Sequence, residues 1–183
     1  MENAMLVAIQ QTDVQIRNKI SNSSTNGATS LDARLKWTPL TLLLMADVVG
    51  LKTRDNFKQH ALRVIIAEAI LNATMLPVKK AVNRERPNGD FKSFPSGHAA
   101  TGFLSSQILF EELKESNPAL SCSGYALSFV TCLLRLYHNK HWFSDVATGA
   151  LLGVFSAKLS GKLINQIKNK QASKYLKPGN LVI

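Results

Sequence analysis

Cysteine, acidic side chains and aromatic rings are all scarce in this chain of 183 residues, and each scarcity removes a class of protein. Cys122 and Cys132 are the only cysteines. They lie in an apolar stretch without metal-ligand spacing and are expected to be small buried hydrophobes, so nothing calls for a disulfide or a thiolate metal site. Asp and Glu number 12 against 22 Lys and Arg, a net charge of +10 with an isoelectric point near 9.8. That balance points to an anionic partner: nucleic acid, a lipid headgroup surface or a phosphate-bearing substrate. No cluster of Asp or Glu offers the oxygen ligands that a divalent cation needs. The opening stretch "MENAMLVAIQQTDVQIRNKISNSSTNG" lacks the basic start and long apolar centre of a secretory signal; a leader upstream of it stays open.

Long uninterrupted apolar runs are also missing. A bilayer span needs about twenty apolar residues. The best window, 116–134, is uncharged but diluted by serines and a proline, and 61–78 is broken by Arg63 and Glu68. A soluble bundle and a membrane bundle fit this equally well. Strand-like alternation and internal repeats are absent too. What is present is enough to bury a core: 45% hydrophobic residues and a mean hydropathy near zero exclude a disordered chain.

Apolar residues recur at helical spacing, which predicts helices over 39–51, 56–82, 97–115, 120–137 and 142–166, with another over 3–20. Pro87, Gly89 and Pro95 exclude regular helix between Arg86 and Ser96. The expected fold class is therefore all-α, a bundle of about five or six helices. The expected organisation is one domain over 1–183, with 1–36 a polar N-terminal segment and the core at about 37–166. Charges at the helix ends favour a site at one end of the core helices.

Three short patterns carry chemistry. In "KKAVNRERP", Lys79 and Arg86 are seven residues apart, about two helical turns, which would put both cations on one helix face. "FPSGHAA" sets Ser96 and Gly97 at a helix start, with His98 directly behind. In "RLYHNKHWFSD", Arg135 precedes His141 by six residues and Asp145 follows it by four. Taken singly, each has an ordinary explanation. Lys79 and Arg86 suit a solvated face, Ser96 an N-cap, Arg135 a snorkelling helix end, and His141–Asp145 a surface pair. Together they suit a phosphate monoester. Lys79, Arg86 and Arg135 would neutralise its charge, and Arg adds a planar fork for two oxygens. Ser96 and the N–H of Gly97 would add donors at a positive helix end, where glycine lets the backbone approach closely.

The order K-x6-R-P, P-S-G-H, R-x5-H-x3-D over Lys79–Asp145 resembles the three-part signature of the type 2 phosphatidic acid phosphatase superfamily. That superfamily holds lipid phosphatases, class A acid phosphatases, glucose-6-phosphatase and vanadium haloperoxidases. "HWFSDVATGALLG" looks like its final core helix. One position departs from the pattern: Leu134 stands where the family often has Ser, which removes a hydrogen-bond donor. The resemblance implies that His141 attacks phosphorus and forms a phosphohistidine, with Asp145 holding its other ring nitrogen. His98 would protonate the leaving oxygen and then activate water. His138 lacks the Asp at +4 and the Arg at −6 and is set aside. Asn88, Asp90 and Lys92 are weaker candidates for leaving-group contacts, and Trp142 and Phe143 for anchors in the core or at a membrane interface.

The implied activity is a metal-independent phosphatase without cofactor, most naturally acting on a lipid phosphate or diphosphate. Phosphatidic acid, phosphatidylglycerol phosphate, undecaprenyl diphosphate and lipid A phosphates are the candidates. The implied setting is a bacterial envelope, as an integral membrane protein with a periplasm-facing site or as a soluble periplasmic one. Two competing readings are a haloperoxidase with vanadate in the same cradle, disfavoured by the short chain, and a basic helical nucleic-acid-binding protein. The latter lacks any binding motif or continuous cationic stripe. A degenerate phosphate binder without turnover is opposed by the presence of His98, His141 and Asp145.

Overall fold

The computed structural model describes residues 2–20 and 34–175. Among these it has six helices and no strand: α1 (Glu2–Ile20), α2 (Thr38–Val48), α3 (Phe57–Val82), α4 (Gly97–Leu113), α5 (Pro118–Tyr137) and α6 (Phe143–Tyr175). The all-α bundle expected from periodicity is what forms. Boundaries follow local chemistry. Asn56 opens α3 with a capping box, its side chain accepting from Gln59 N while Gln59 returns the bond to Asn56 N. Pro118 fits the first turn of α5, where no N–H is needed, behind the N-cap Asn117. α6 runs past the expected end at 166, to Tyr175.

α4 is the axis. Ala100, Leu104, Ile108, Leu109 and Leu113 are buried along it, against Leu43 and Ala46 of α2, Ala67, Leu71 and Met75 of α3 and Ala157 of α6. A second cluster joins Ala99 of α4, Cys132 and Leu136 of α5 and Val146 of α6, with Ile20 of α1 packed on it. The segment 1–36, polar by composition, thus includes a helix that packs on the bundle. Cys132 is buried as expected, whereas Cys122 is exposed: the two sit on different faces of the same helix.

Two devices hold α4 in place. Its first half lies against α6, where Gly149 and Gly153 form a small-residue groove one turn apart. A Cβ on Gly149 would fall inside contact distance of the Ser96 carbonyl, and one on Gly153 inside that of Ala100. Its far end is locked by buried charges. Glu112 accepts from His60 Nε2 at 3.0 Å, Arg63 Nη1 at 2.7 Å and Arg54 Nη2 at 3.1 Å, and His60 Nδ1 meets Asp47 at 2.8 Å. Arg63 also pairs with Glu111, and Lys168 reaches Asp55 at 2.7 Å. Each buried charge in this cluster has an opposite partner, the condition under which burial is tolerated.

The outside of the bundle is apolar. Ile65 and Leu76 of α3, Phe129 of α5 and Leu151 and Phe155 of α6 are all more than half exposed. α3 and α5 are long and apolar enough to cross a membrane.

Gly153→Ala separates two opposing effects. Helix propensity alone would stabilise α6 by about 1 kcal/mol. Steric overlap with the α4 backbone should instead destabilise the protein by roughly 1–3 kcal/mol, read as a lowered unfolding midpoint in detergent; a raised midpoint would refute the close-packing account.

Candidate active site

α3 runs toward the end of the bundle at which α4 and α6 begin and α5 finishes. Asn83 ends α3 in the left-handed conformation, φ 41°, which Asn tolerates better than most residues. Arg86 therefore lies in the following loop, not on the α3 face that carries Lys79, and the expectation of two cations on one helix face is corrected. The loop brings Arg86 back by another route. Arg86 N bonds Asp90 O at 2.6 Å, and Ser93 N bonds Arg84 O at 2.8 Å. Lys79 Nζ ties the loop to α3 through the carbonyls of Lys92 (2.9 Å) and Pro95 (2.7 Å), which leaves one ammonium hydrogen for an anion.

Ser96 caps α4, its Oγ accepting from Ala99 N at 3.5 Å, and its own N–H bonds Asp145 O at 2.9 Å. The first turns of α4 and α6 are thereby joined, with His98, half-buried, on the former and Asp145 on the latter. At Gly97 an added Cβ would meet only Met75, at an ordinary 3.6 Å. Packing within the protein therefore does not require glycine there.

Asp145 is fully buried. Its Oδ1 accepts from Arg84 Nη1 at 2.9 Å, and its Oδ2 accepts from Trp142 N at 2.9 Å and from Ser93 Oγ. His141, 3% exposed, places Nδ1 at 3.7 Å from Asp145 Oδ2, too far for a hydrogen bond, and at 3.4 Å from Ser93 Oγ. The direct His141–Asp145 bond expected from the i, i+4 spacing is thus replaced by a bridge through Ser93. Ser93 has one hydroxyl hydrogen and donates it to the carboxylate, so toward His141 it can only accept. That puts the ring proton on Nδ1 and leaves Nε2 with an open lone pair.

The electrostatics keep the ring neutral. Burial pushes the His141 imidazole down to about 4, and Arg135 and Arg86 push the same way against the pull of Asp145. Burial also lowers Arg86, with Arg135 adding repulsion, and Arg86 Nε is buried without a hydrogen-bond partner. Burial alone would raise the Asp145 carboxyl; the neighbouring His141 ring, the Ser93 hydrogen bond, the Trp142 N–H and the Arg84 charge hold it low instead. Arg135 closes α5 from the inside, 5% exposed, and Lys79 is within electrostatic reach of Arg86, Arg135 and Asp145. Lys79, Arg86 and Arg135 thus lie within electrostatic reach of one another at this end of the bundle, beside a neutral imidazole.

Sequence reasoning missed Ser93 and Arg84. Neither carries a signal of its own, since a Ser and an Arg in a loop are ordinary until the fold aims them at one carboxylate. Trp142 was expected in the core or at a membrane interface. It is partly buried, with Nε1 donating to Glu85 O at 2.8 Å and the Arg84 guanidinium 5.5 Å from the ring centre. Phe143 is exposed, and Asn88 and Asp90 hydrogen-bond each other at 2.8 Å in an exposed turn.

Comparison with known proteins agrees with the signature. The chain is 29% identical over 133 residues to the lipid A 1-phosphatase of Porphyromonas gingivalis; the match takes in 72% of this chain and 30% of that protein, so it spans less than a third of the relative's length. In fold it resembles the crystal structure of Aquifex aeolicus LpxE (TM-score 0.63, 20% identity, 81% of this chain and 94% of that one). It also resembles a transmembrane PAP2 type phosphatidylglycerolphosphate phosphatase from Bacillus subtilis (TM-score 0.64, 17% identity, 87% of this chain and 88% of that one). The family model of the PAP2 superfamily matches residues 60–168, more than half the chain and all three signature blocks, and the chain belongs to that superfamily.

Proposed function

We propose that this chain is a metal-independent lipid phosphatase that hydrolyses a phosphate monoester or diphosphate through a phosphohistidine on His141. The observation that carries the reading is the buried, neutral His141 with Nδ1 turned to Ser93 and Asp145, beside Arg86 and Arg135. In the first step Nε2 of His141 attacks phosphorus, the P–O bond to the lipid breaks, and the leaving oxygen takes its proton from His98. The ring becomes cationic as the P–N bond forms, and the Ser93–Asp145 pair stabilises that charge. In the second step His98 takes a proton from water, the oxygen attacks phosphorus, and the P–N bond breaks to release inorganic phosphate. Lys79, Arg86 and Arg135 hold the phosphoryl oxygens throughout, with Ser96 and Gly97 N–H at the positive end of α4. These cations supply the positive charge that a metal would otherwise bring.

Three observations favour a lipid. An apolar cavity of about 340 Å³ lies between α1, α4, α5 and α6, walled by Phe103, Phe129, Leu133, Leu136, Val146 and Ala150. Its wall residues Leu136 and Val146 follow Arg135 and Asp145 in sequence, and we read the cavity as a seat for an acyl chain whose phosphate sits among the cations. The outward apolar residues of α3, α5 and α6 suit a bilayer, and the relatives named above act on lipid A and on phosphatidylglycerol phosphate. We read the protein as membrane-embedded, with the site on the periplasmic side of a bacterial cytoplasmic membrane.

Phosphate release from a panel of lipid phosphates should persist in EDTA. His141→Ala should lower turnover roughly a thousandfold or more, and His98→Ala by about 10²–10⁴; turnover that depends on added divalent metal would overturn the mechanism. For orientation, Asn88→Cys in a Cys122→Ser background should be labelled by a membrane-impermeant maleimide in cells with a permeabilised outer membrane. Labelling only after the inner membrane is opened would put the site on the cytoplasmic side.

A further inference from the structure

We propose that Asp13, on the N-terminal helix and far from every signature block, is a positioning residue of the active site that acts on His141 through Arg84 and Asp145. Asp13 is 2% exposed in a helix whose other outward positions are mostly exposed. Its Oδ2 accepts from Arg84 Nη2 at 2.7 Å and from Ser144 Oγ at 2.6 Å, and its Oδ1 accepts from Ser144 N at 2.8 Å. Arg84 therefore forks between two carboxylates, one nitrogen on Asp13 and the other on Asp145 at 2.9 Å, and Arg84 Nη1 also bonds Ser144 Oγ at 2.7 Å.

The arrangement has two consequences. Geometrically, Asp13 anchors both the guanidinium that fixes Asp145 Oδ1 and the first turn of α6 on which Asp145 stands. Asp145 in turn orients Ser93, and Ser93 faces His141 Nδ1. Electrostatically, the triad Asp13–Arg84–Asp145 carries one net negative charge. That charge supports the imidazolium that forms when His141 is phosphorylated. With Asp13 neutral, the Arg84 charge would fall wholly on Asp145, and the cationic ring would lose support. With Arg84 neutral, two carboxylates would be left and the ring would gain it. The other charged groups that act on His141 are Arg86 in the loop and Arg135 on α5, with Lys79 of α3 in reach of both, and neither change alters them. Asp13 touches none of the phosphate-binding cations, so its effect belongs to the chemical step and not to substrate capture.

This inference rests on His141 being the nucleophile, and the test separates the two. In the full-length protein in detergent, His141 is titrated by NMR, its signal assigned with His141→Gln, and kcat and KM are measured with p-nitrophenyl phosphate. Asp13→Asn should move the His141 titration and the acid limb of kcat/KM downward, and Arg84→Gln should move both upward, each by about half a unit or more. Asp13→Asn should lower kcat about tenfold with KM within twofold, and Asp13→Glu should recover part of the loss. Two titrations that stay put, or move in the same direction, would overturn the proposal, because a purely structural role cannot give shifts of opposite sign. If Asp13→Asn does not accumulate, Arg84→Gln and Asp13→Glu still decide through the sign of the shift. Loss of all turnover in the wild type, with opposed titration shifts intact, would count against the phosphatase reading and leave the Asp13 coupling standing.

Discussion

A carboxylate that has lost all contact with water must be given donors by the protein, and Asp145 is such a group. Its four lone-pair positions draw in Arg84, Ser93 and the backbone of Trp142. Those demands fix most of the site. Arg84 has to come off the end of α3, so α3 must stop at Val82. Ser93 has to fold back beside it, which bends the loop and delivers Arg86 and Lys92 on the way. Trp142 has to turn into α6, which leaves His141 on the last residue before the turn with Nδ1 facing inward. Nε2 is then the ring nitrogen turned away from Ser93 and Asp145. Leaving that carboxylate without partners would cost several kcal/mol, so the placement of His141 is enforced by solvation more than by any contact to the imidazole itself.

The rest of the bundle makes this end rigid. α4 can lie against α6 because Gly149 and Gly153 leave room for its backbone, the kind of contact that joins helices where hydrophobic burial cannot. At the other end Glu112 gathers His60, Arg63 and Arg54. The two ends use opposite electrostatic schemes. The Glu112 end is balanced, each cation facing a carboxylate. The end that carries the signature instead gathers Lys79, Arg86 and Arg135 within electrostatic reach of one another, with Asp145 among them.

Helix identity was legible in the sequence because long periodic apolar segments carry it. The windows over 56–82 and 120–137 returned as α3 and α5 nearly residue for residue. The family signature was legible because it fixes residue types across three separated blocks, all within the stretch that the family model matches. What escaped were relations that depend on tertiary placement. Lys79 and Arg86 looked like one helix face because their spacing was counted in helical turns past residue 82, where the helix ends. The i, i+4 spacing of His141 and Asp145 suggested a direct bond, whereas Ser93, distant in sequence, stands between them. Gly149 and Gly153 read as ordinary helix residues until α4 was seen to lie on them. Asp13 was the least visible of all, a single acid in a segment whose composition is polar, and only the partner it meets gives it meaning.

The central claim is that phosphorus is bonded for a time to the nitrogen of residue 141. Rapid acid-free quenching during turnover of a phosphorus-labelled substrate, followed by peptide mass spectrometry, addresses it directly. The account predicts an acid-labile, base-stable phosphate on the peptide that contains His141, present in the wild type and missing in His141→Gln. Complete turnover with no phosphate on that peptide, or phosphate carried by another side chain, would contradict it.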